Sequence, residues 1–175
     1  MIKNRLFLLA FSTLLITSCS SINSMIPKLS SNSSAPTAIQ EAVASRVNPE
    51  TELYSLTSAS ISKSGSIVAQ SQANKDASAD LRSQIKKEVD SLYKSQLDGM
   101  DAFSKSIVSP VTSDLSNYAT DLIMKKVTQK GAWEDSSKIY SLLAVNKSEI
   151  GTISEKVFKN FIDNATKKLG SFGSK

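Results

Sequence analysis

Histidine is absent from the chain, and cysteine occurs once, at position 19. A single thiol cannot close an internal disulfide, whatever the redox compartment. Without histidine the commonest metal ligand and the commonest general base are both missing. Zinc centres and Ser-His-Asp or Cys-His catalysis are thereby excluded within one chain. Glycine is sparse, 6 of 175 residues, and Gly65 stands alone before its helix, so no glycine-rich loop is present to cradle a phosphate. Charge of one sign is not gathered anywhere: 21 basic residues face 16 acidic ones, and 19 face 16 once Lys3 and Arg5 are set aside. That weak excess reads as a solvated surface rather than a nucleic-acid patch, and the pairs Lys86-Lys87 and Lys125-Lys126 read as helix surface rather than a contact to acidic lipid. A long apolar run is lacking too, since the longest, Leu6 to Ile16, covers eleven residues and is too short to span a bilayer. No cofactor, no metal and no nucleic acid is expected, and the chain does not read as an enzyme.

That short run has its own meaning. Lys3 and Arg5 precede it, and polar residues begin directly after Ile16. A run apolar on every face, followed by serine-rich chain that could not cover it, does not fit a core helix. It fits a secretory signal peptide over residues 1–18. The junction Ile16-Thr17-Ser18-Cys19 resembles the bacterial lipobox, a branched apolar residue and two small residues before cysteine. The resemblance implies that the Cys19 sulfur receives a diacylglyceryl group, that the signal is cut between Ser18 and Cys19, and that in many bacteria the new amine is acylated as well. Each buried methylene contributes about 0.8 kcal/mol, so two or three acyl chains anchor stably where one does not. Ser20, by analogy with lipoprotein sorting, directs such a protein to the outer membrane, facing the periplasm.

Residues 19–36, rich in Ser and Asn with Pro27 and Pro36, read as a lipidated cysteine and flexible tether. Residues 37–49 read as a short helix and linker: Thr37 is the expected N-cap, Gln40 completes a capping box, Ile39, Val43 and Val47 share a face, and Asn48-Pro49 ends it. Residues 50–175 read as an α+β domain. A strand fits 53–62, with Leu56, Ser58 and Ser60 on one side and Thr57, Ala59 and Ile61 on the other. Ala69, Ala73, Ala77, Leu81, Ile85, Val89 and Leu92 recur at steps of three or four and predict a helix over 67–97, with Gly99 at its end. Ser109-Pro110 is a break. A helix follows over 111–126 with Leu115, Ala119 and Leu122 inward and Tyr118 and Ile123 alongside. Strand-like runs at 127–134 and 138–145, joined by Asp135-Ser136-Ser137, predict a hairpin. A last helix over 150–169 carries Ile150, Val157, Phe161 and Ala165, and Gly170 is its natural stop. The order predicts a small three-stranded sheet covered by helices on one face, with the second face and the strand edges open to partners or self-association.

Three parts of this region resemble the Lpp-twenty family of small bacterial outer-membrane lipoproteins. They are the strand and turn Ala59-Ser60-Ile61-Ser62-Lys63-Ser64-Gly65, the helix spacing Ala73, Ala77, Leu81, Ile85, and the hairpin in which Trp133 precedes Ile139-Tyr140-Ser141-Leu142-Leu143-Ala144-Val145. The resemblance implies a lipid-anchored envelope protein with a compact α/β domain and no catalytic residues, with some relatives associated with flagellar basal structures.

Trp133, the only tryptophan, and Tyr140 are the candidate contact residues for a ligand or partner. An indole can stack on a sugar, although a hairpin Trp beneath a helix is more often core. Glu134 and Asp135 are adjacent carboxylates without the spacing of a calcium loop. The function expected is a structural or interaction component of the cell envelope held by its lipid, with a periplasmic binding module for a peptide, glycan or lipid, or an accessory protein of the flagellar basal structure, as the alternative.

Overall fold

The structure, a computed structural model, describes residues 35–61 and 65–172. The expected signal, the Ser18–Cys19 junction and the tether up to residue 34 lie outside the described residues. In chain order the elements are α1 (Thr37–Ala44), β1 (Glu52–Ser60), α2 (Ser66–Asp98), α3 (Ala102–Val108), a 3-10 turn (Ser109–Val111), α4 (Thr112–Met124), β2 (Thr128–Glu134), β3 (Lys138–Asn146) and α5 (Lys147–Phe172). The class is α+β, as the order of periodicities predicts.

The three strands form one antiparallel sheet in the order β1-β3-β2. Leu56 lies opposite Leu142 in the first pair, and Trp133 lies opposite Tyr140 in the second. Side chains alternate across a strand, so the sheet has two faces of different character. One face bears Ser55, Thr57 and Ser141 towards α2. Ser55 Oγ donates to Asp80 Oδ2 at 2.7 Å, Thr57 Oγ1 donates to the Ala73 carbonyl at 2.6 Å, and Ser141 Oγ bonds Asn74 Oδ1. The alanines at 69, 73 and 77 make this possible, because a bulkier residue would hold the helix backbone out of a threonine's reach. Buried hydroxyls find partners here, so they cost little.

Beyond the sheet α2 continues into an all-helical part. Leu81, Ile85, Val89 and Tyr93 pack with Val108 of α3, Ala119 and Ile123 of α4, and Ile150, Val157 and Phe158 of α5. Tyr93 takes the place expected for Leu92, which is 39% exposed. Steps of four residues advance 400° around a helix, so the stripe winds slowly about α2 and arrives at 93. Its first half faces the sheet and its second half faces α4 and α5. In α4 the buried face is Ser116, Ala119, Thr120 and Ile123, while Tyr118 is 58% exposed. Small residues bring α4 close to α2, and the hydroxyls are satisfied: Ser116 bonds Asp90 and receives Lys86 Nζ, and Thr120 Oγ1 donates to the Ser116 carbonyl. α5 starts directly after β3, with Asn146 Oδ1 accepting from both the amide and the hydroxyl of Ser148 at 2.9 Å. It runs on to Phe172, so Gly170 does not stop it.

The second face of the sheet is covered, contrary to expectation. Ala35, Ile39, Val43 and Val47 bury against Leu56, Tyr140, Leu142 and Ala144, with Tyr54 and Trp133 at the margin. The short helix is therefore part of the same body, and the last expected tether residues already belong to it. Pro36, not Thr37, is the N-cap. Its carbonyl receives the amides of Ile39 and Gln40, and Gln40 Nε2 donates back to the Ala35 carbonyl at 2.8 Å. Val47 leads through Asn48–Thr51 to the start of β1, where Lys147 donates its amide to the Thr51 carbonyl.

Candidate functional site

The two residues expected to contact a ligand do come together, but as part of the core. Trp133 and Tyr140 are cross-strand neighbours on the face covered by α1. Tyr140 is 2% exposed, and its hydroxyl donates to Asp135 Oδ2 at 2.9 Å. The Trp133 ring lies back over Gly131, where an added Cβ would sit 2.7 Å from the ring's Cζ2 and nearer still to its Cη2. From the other side Arg46 places its guanidinium 5.2 Å from the ring centroid and donates to the Lys130 carbonyl at 2.9 Å. The indole is thus held between glycine, arginine and α1.

Asp135 organises the hairpin turn. One of its oxygens accepts the amides of Ser137 and Lys138, both at 2.7 Å, together with the Ser137 hydroxyl, and the other accepts Tyr140. The Ser137 and Lys138 amides, then the phenol, hold its carboxyl below the usual range. Glu134 accepts the Ser66 hydroxyl at 3.1 Å. Both carboxylates serve the turn. Among the described residues no three His, Cys, Asp or Glu side chains converge as metal ligands would.

An open site does exist, in a place no motif marks. Between α3 and the later turns of α5 lies a groove of about 430 Å³, lined by Met100, Phe103, Ser104, Ile107, Val108, Ile162, Ala165 and Thr166. Asp101 builds one wall by capping α3: its carboxylate accepts the amides of Phe103 and Ser104, each at 3.0 Å, and the Ser104 hydroxyl at 2.6 Å. Pro110 in the 3-10 turn closes α3 and redirects the chain into α4. The other wall is the outer continuation of the α5 stripe. The polar groups of the lining are already engaged, Ser104 with Asp101 and Thr166 Oγ1 with the Ile162 carbonyl at 2.9 Å. At the rim Lys105 pairs with Asp98 at 3.1 Å. Phe103 is 69% exposed. Among the described residues its lining carries no acidic or basic side chain, and its polar groups are the Ser104 and Thr166 hydroxyls. What it offers is apolar surface for an apolar side chain or a stretch of hydrocarbon.

Sequence reading missed α3 and with it this groove. Asp101 as an N-cap, Phe103 and Ile107 four apart, and the Ser109-Pro110 stop were the available signals, compressed into seven residues where periodicity barely registers. Cys19 and Ser18 are outside the described residues. Among the described residues no helix is long and apolar enough to cross a membrane.

Comparison with protein-family models and with curated proteins finds no match to this chain.

Proposed function

We propose that the chain is a lipid-anchored, non-catalytic interaction component of the bacterial cell envelope, held at the outer membrane through Cys19 and facing the periplasm. The observation that carries this reading is the sequence itself: basic residues, an eleven-residue apolar run, and Ile16-Thr17-Ser18-Cys19 at its end. The likeness of the strand, alanine helix and Trp-Tyr hairpin to the Lpp-twenty family belongs to the same proposal. The groove supports the interaction part. It is open, and it is lined mainly by apolar side chains. On this reading an apolar segment of a second envelope protein seats against Phe103 and Ile107.

Metabolic labelling with palmitate and fractionation of the envelope test the anchor. Labelled, membrane-bound protein is expected from the parent and unlabelled, unprocessed protein from Cys19→Ser. Equal retention of the two would reject the scheme. A photo-reactive residue at position 103 should crosslink a discrete envelope partner that one at Tyr118, also exposed, does not; identical patterns from the two positions would remove the groove from the proposal.

A further inference from the structure

The two edges of the sheet are unlike. At the β2 edge the ladder slips between Gln129 and Gly131, Lys130 and Glu134 bring charge, and the Lys130 carbonyl is taken by Arg46. A bulge and charged residues are the usual means by which a sheet edge is kept from pairing. β1 has none of them. Its nine residues pair with β3 in unbroken register, and from Leu53 to Ser60 it carries no charge and no proline. The direction of its backbone groups follows from a bond at each end. Lys147 donates its amide to the Thr51 carbonyl, and Ile61 donates its own to the Ser137 carbonyl. In an antiparallel ladder the residues that bond a given neighbour recur at every second position. Leu53, Ser55, Thr57 and Ala59 therefore direct their amides and carbonyls to β3. Tyr54, Leu56, Ser58 and Ser60 turn theirs to the open side. The Tyr54 carbonyl accepts Gln84 Nε2 at 3.3 Å. Among the described residues the outward groups of Leu56, Ser58 and Ser60 have no such partner.

We propose that this edge joins a second copy of the chain, β1 against β1, into a six-stranded antiparallel sheet with a two-fold axis at Thr57. Identical antiparallel strands turned about one residue match even positions with even ones. Every outward amide then meets an outward carbonyl, with Tyr54 opposite Ser60 and Leu56 opposite Ser58 of the second copy. The same rotation keeps both α2 helices on one side of the joined sheet and both α1 covers on the other. An unrelated partner would have to bring an uncharged strand of matching direction and room for both covers; a second copy supplies them by symmetry. The facing side chains are compatible: Thr57 meets its own copy, and Ser55 meets Ala59. Asp80, bonded to Ser55, stands four residue steps from its copy along the strand, about 13 Å. At that distance salt screens most of the repulsion. The contact is chiefly backbone, so it waits on the folded sheet that holds β1 extended. It involves neither the lipid on Cys19 nor the α3–α5 groove.

Facing residues that exchange no hydrogen bonds lie about 4.5 Å apart at Cα, close enough for a disulfide. Thr57 and its copy are such a pair. The test uses the full chain in mild detergent with Cys19→Ser, which leaves an introduced cysteine as the only thiol. Under mild oxidation Thr57→Cys is expected to form disulfide-linked dimer about tenfold faster than Ala132→Cys, an exposed position on β2. Ser58→Pro removes an outward amide and no bond to β3, so it should lower that rate to the position-132 level while Trp133 emission stays unchanged. Ser58→Lys keeps the amide, sets a charge over Leu56 of the second copy, and should give the same loss if proline unfolds the chain. Sedimentation reads the pairing without any new thiol: the mass should rise with concentration from one copy towards two, and Ser58→Lys should return it to one. No dimer by either measure, equal rates at positions 57 and 132, or a dimer indifferent to Ser58→Lys would overturn the proposal. The first result would mean that another part of the same chain, or water, lies along β1. None of these failures touches the anchoring proposal, because no lipid takes part.

Discussion

At the scale of single residues, aromatic side chains and one glycine set the tightest constraints. Gly131 is required by the Trp133 ring that lies over it, and even a methyl group there must displace the indole or the strand. Gly131→Ala is expected to cost about 1–3 kcal/mol in denaturant unfolding, and to shift Trp133 emission towards that of a wetter indole. Tyr93 is buried between α2 and α5, tilted 46° against Phe158 with ring centroids 5.1 Å apart, and donates to the Ser154 carbonyl at 3.1 Å. Burial pushes its phenol up to about 12. A raised phenol favours the neutral form in the folded state. The stability that this represents is complete below the ordinary tyrosine value near 10 and disappears as pH rises from there towards 12. Tyr54 and Tyr140 are raised by burial too, and Tyr140 secondarily by Asp135. Denaturant melts should therefore weaken steeply between about pH 10 and 12, and Tyr93→Phe should flatten that fall. A fall of undiminished slope in the variant would place the titration elsewhere.

Among the elements, α2 was the most legible in the sequence, because its apolar residues recur over 33 positions and only one end of the stripe is misassigned. The hairpin was legible for a similar reason: alternation on both sides of a polar turn leaves few other readings. What could not be read lies where polarity and burial part company. Ser116 and Thr120 look like solvent-facing residues, yet they form the α2–α4 seam because each hydroxyl finds a partner there. The covered second face was missed because α1 is short and its stripe of Ala35, Ile39, Val43 and Val47 does not announce which surface it meets. For α3 the consequences separate cleanly along its two sides. Val108, inside the core, should cost about 1–3 kcal/mol when cut to alanine. Phe103→Ser, on the open groove, should change unfolding by no more than about 0.5 kcal/mol. A large loss from the second substitution would mean that the groove is filled in the folded chain.

Taken whole, the molecule has two cores, one between the sheet and α1 and one among the helices. The sheet and α1 form one, and the later part of α2 with α3, α4 and α5 forms the other. Removing the α1 cover should expose Leu56, Tyr140, Leu142 and Ala144 as a continuous apolar sheet face. Such a face is a ready surface for association. Ile39→Asp combined with Val43→Asp is expected to turn a dispersed protein into an aggregating one, as light scattering would report, while leaving the far groove formed. A monodisperse double variant of normal melting temperature would show that the cover is dispensable.

The register of the sheet also sets an order of events in time. Among the described residues β1 pairs with β3 alone, and Leu56 must wait for Leu142, far along the chain. Whether the chain emerges from a ribosome or, on the proposed export, from a translocation channel, the partner strand arrives much later. A strand left single for so long is an invitation to the wrong pairing unless it is dull. β1 is dull in this sense: Ser55, Thr57, Ser58 and Ser60 replace the aliphatic residues a zipper would want. Two of these hydroxyls, those of Ser55 and Thr57, also fasten it to α2.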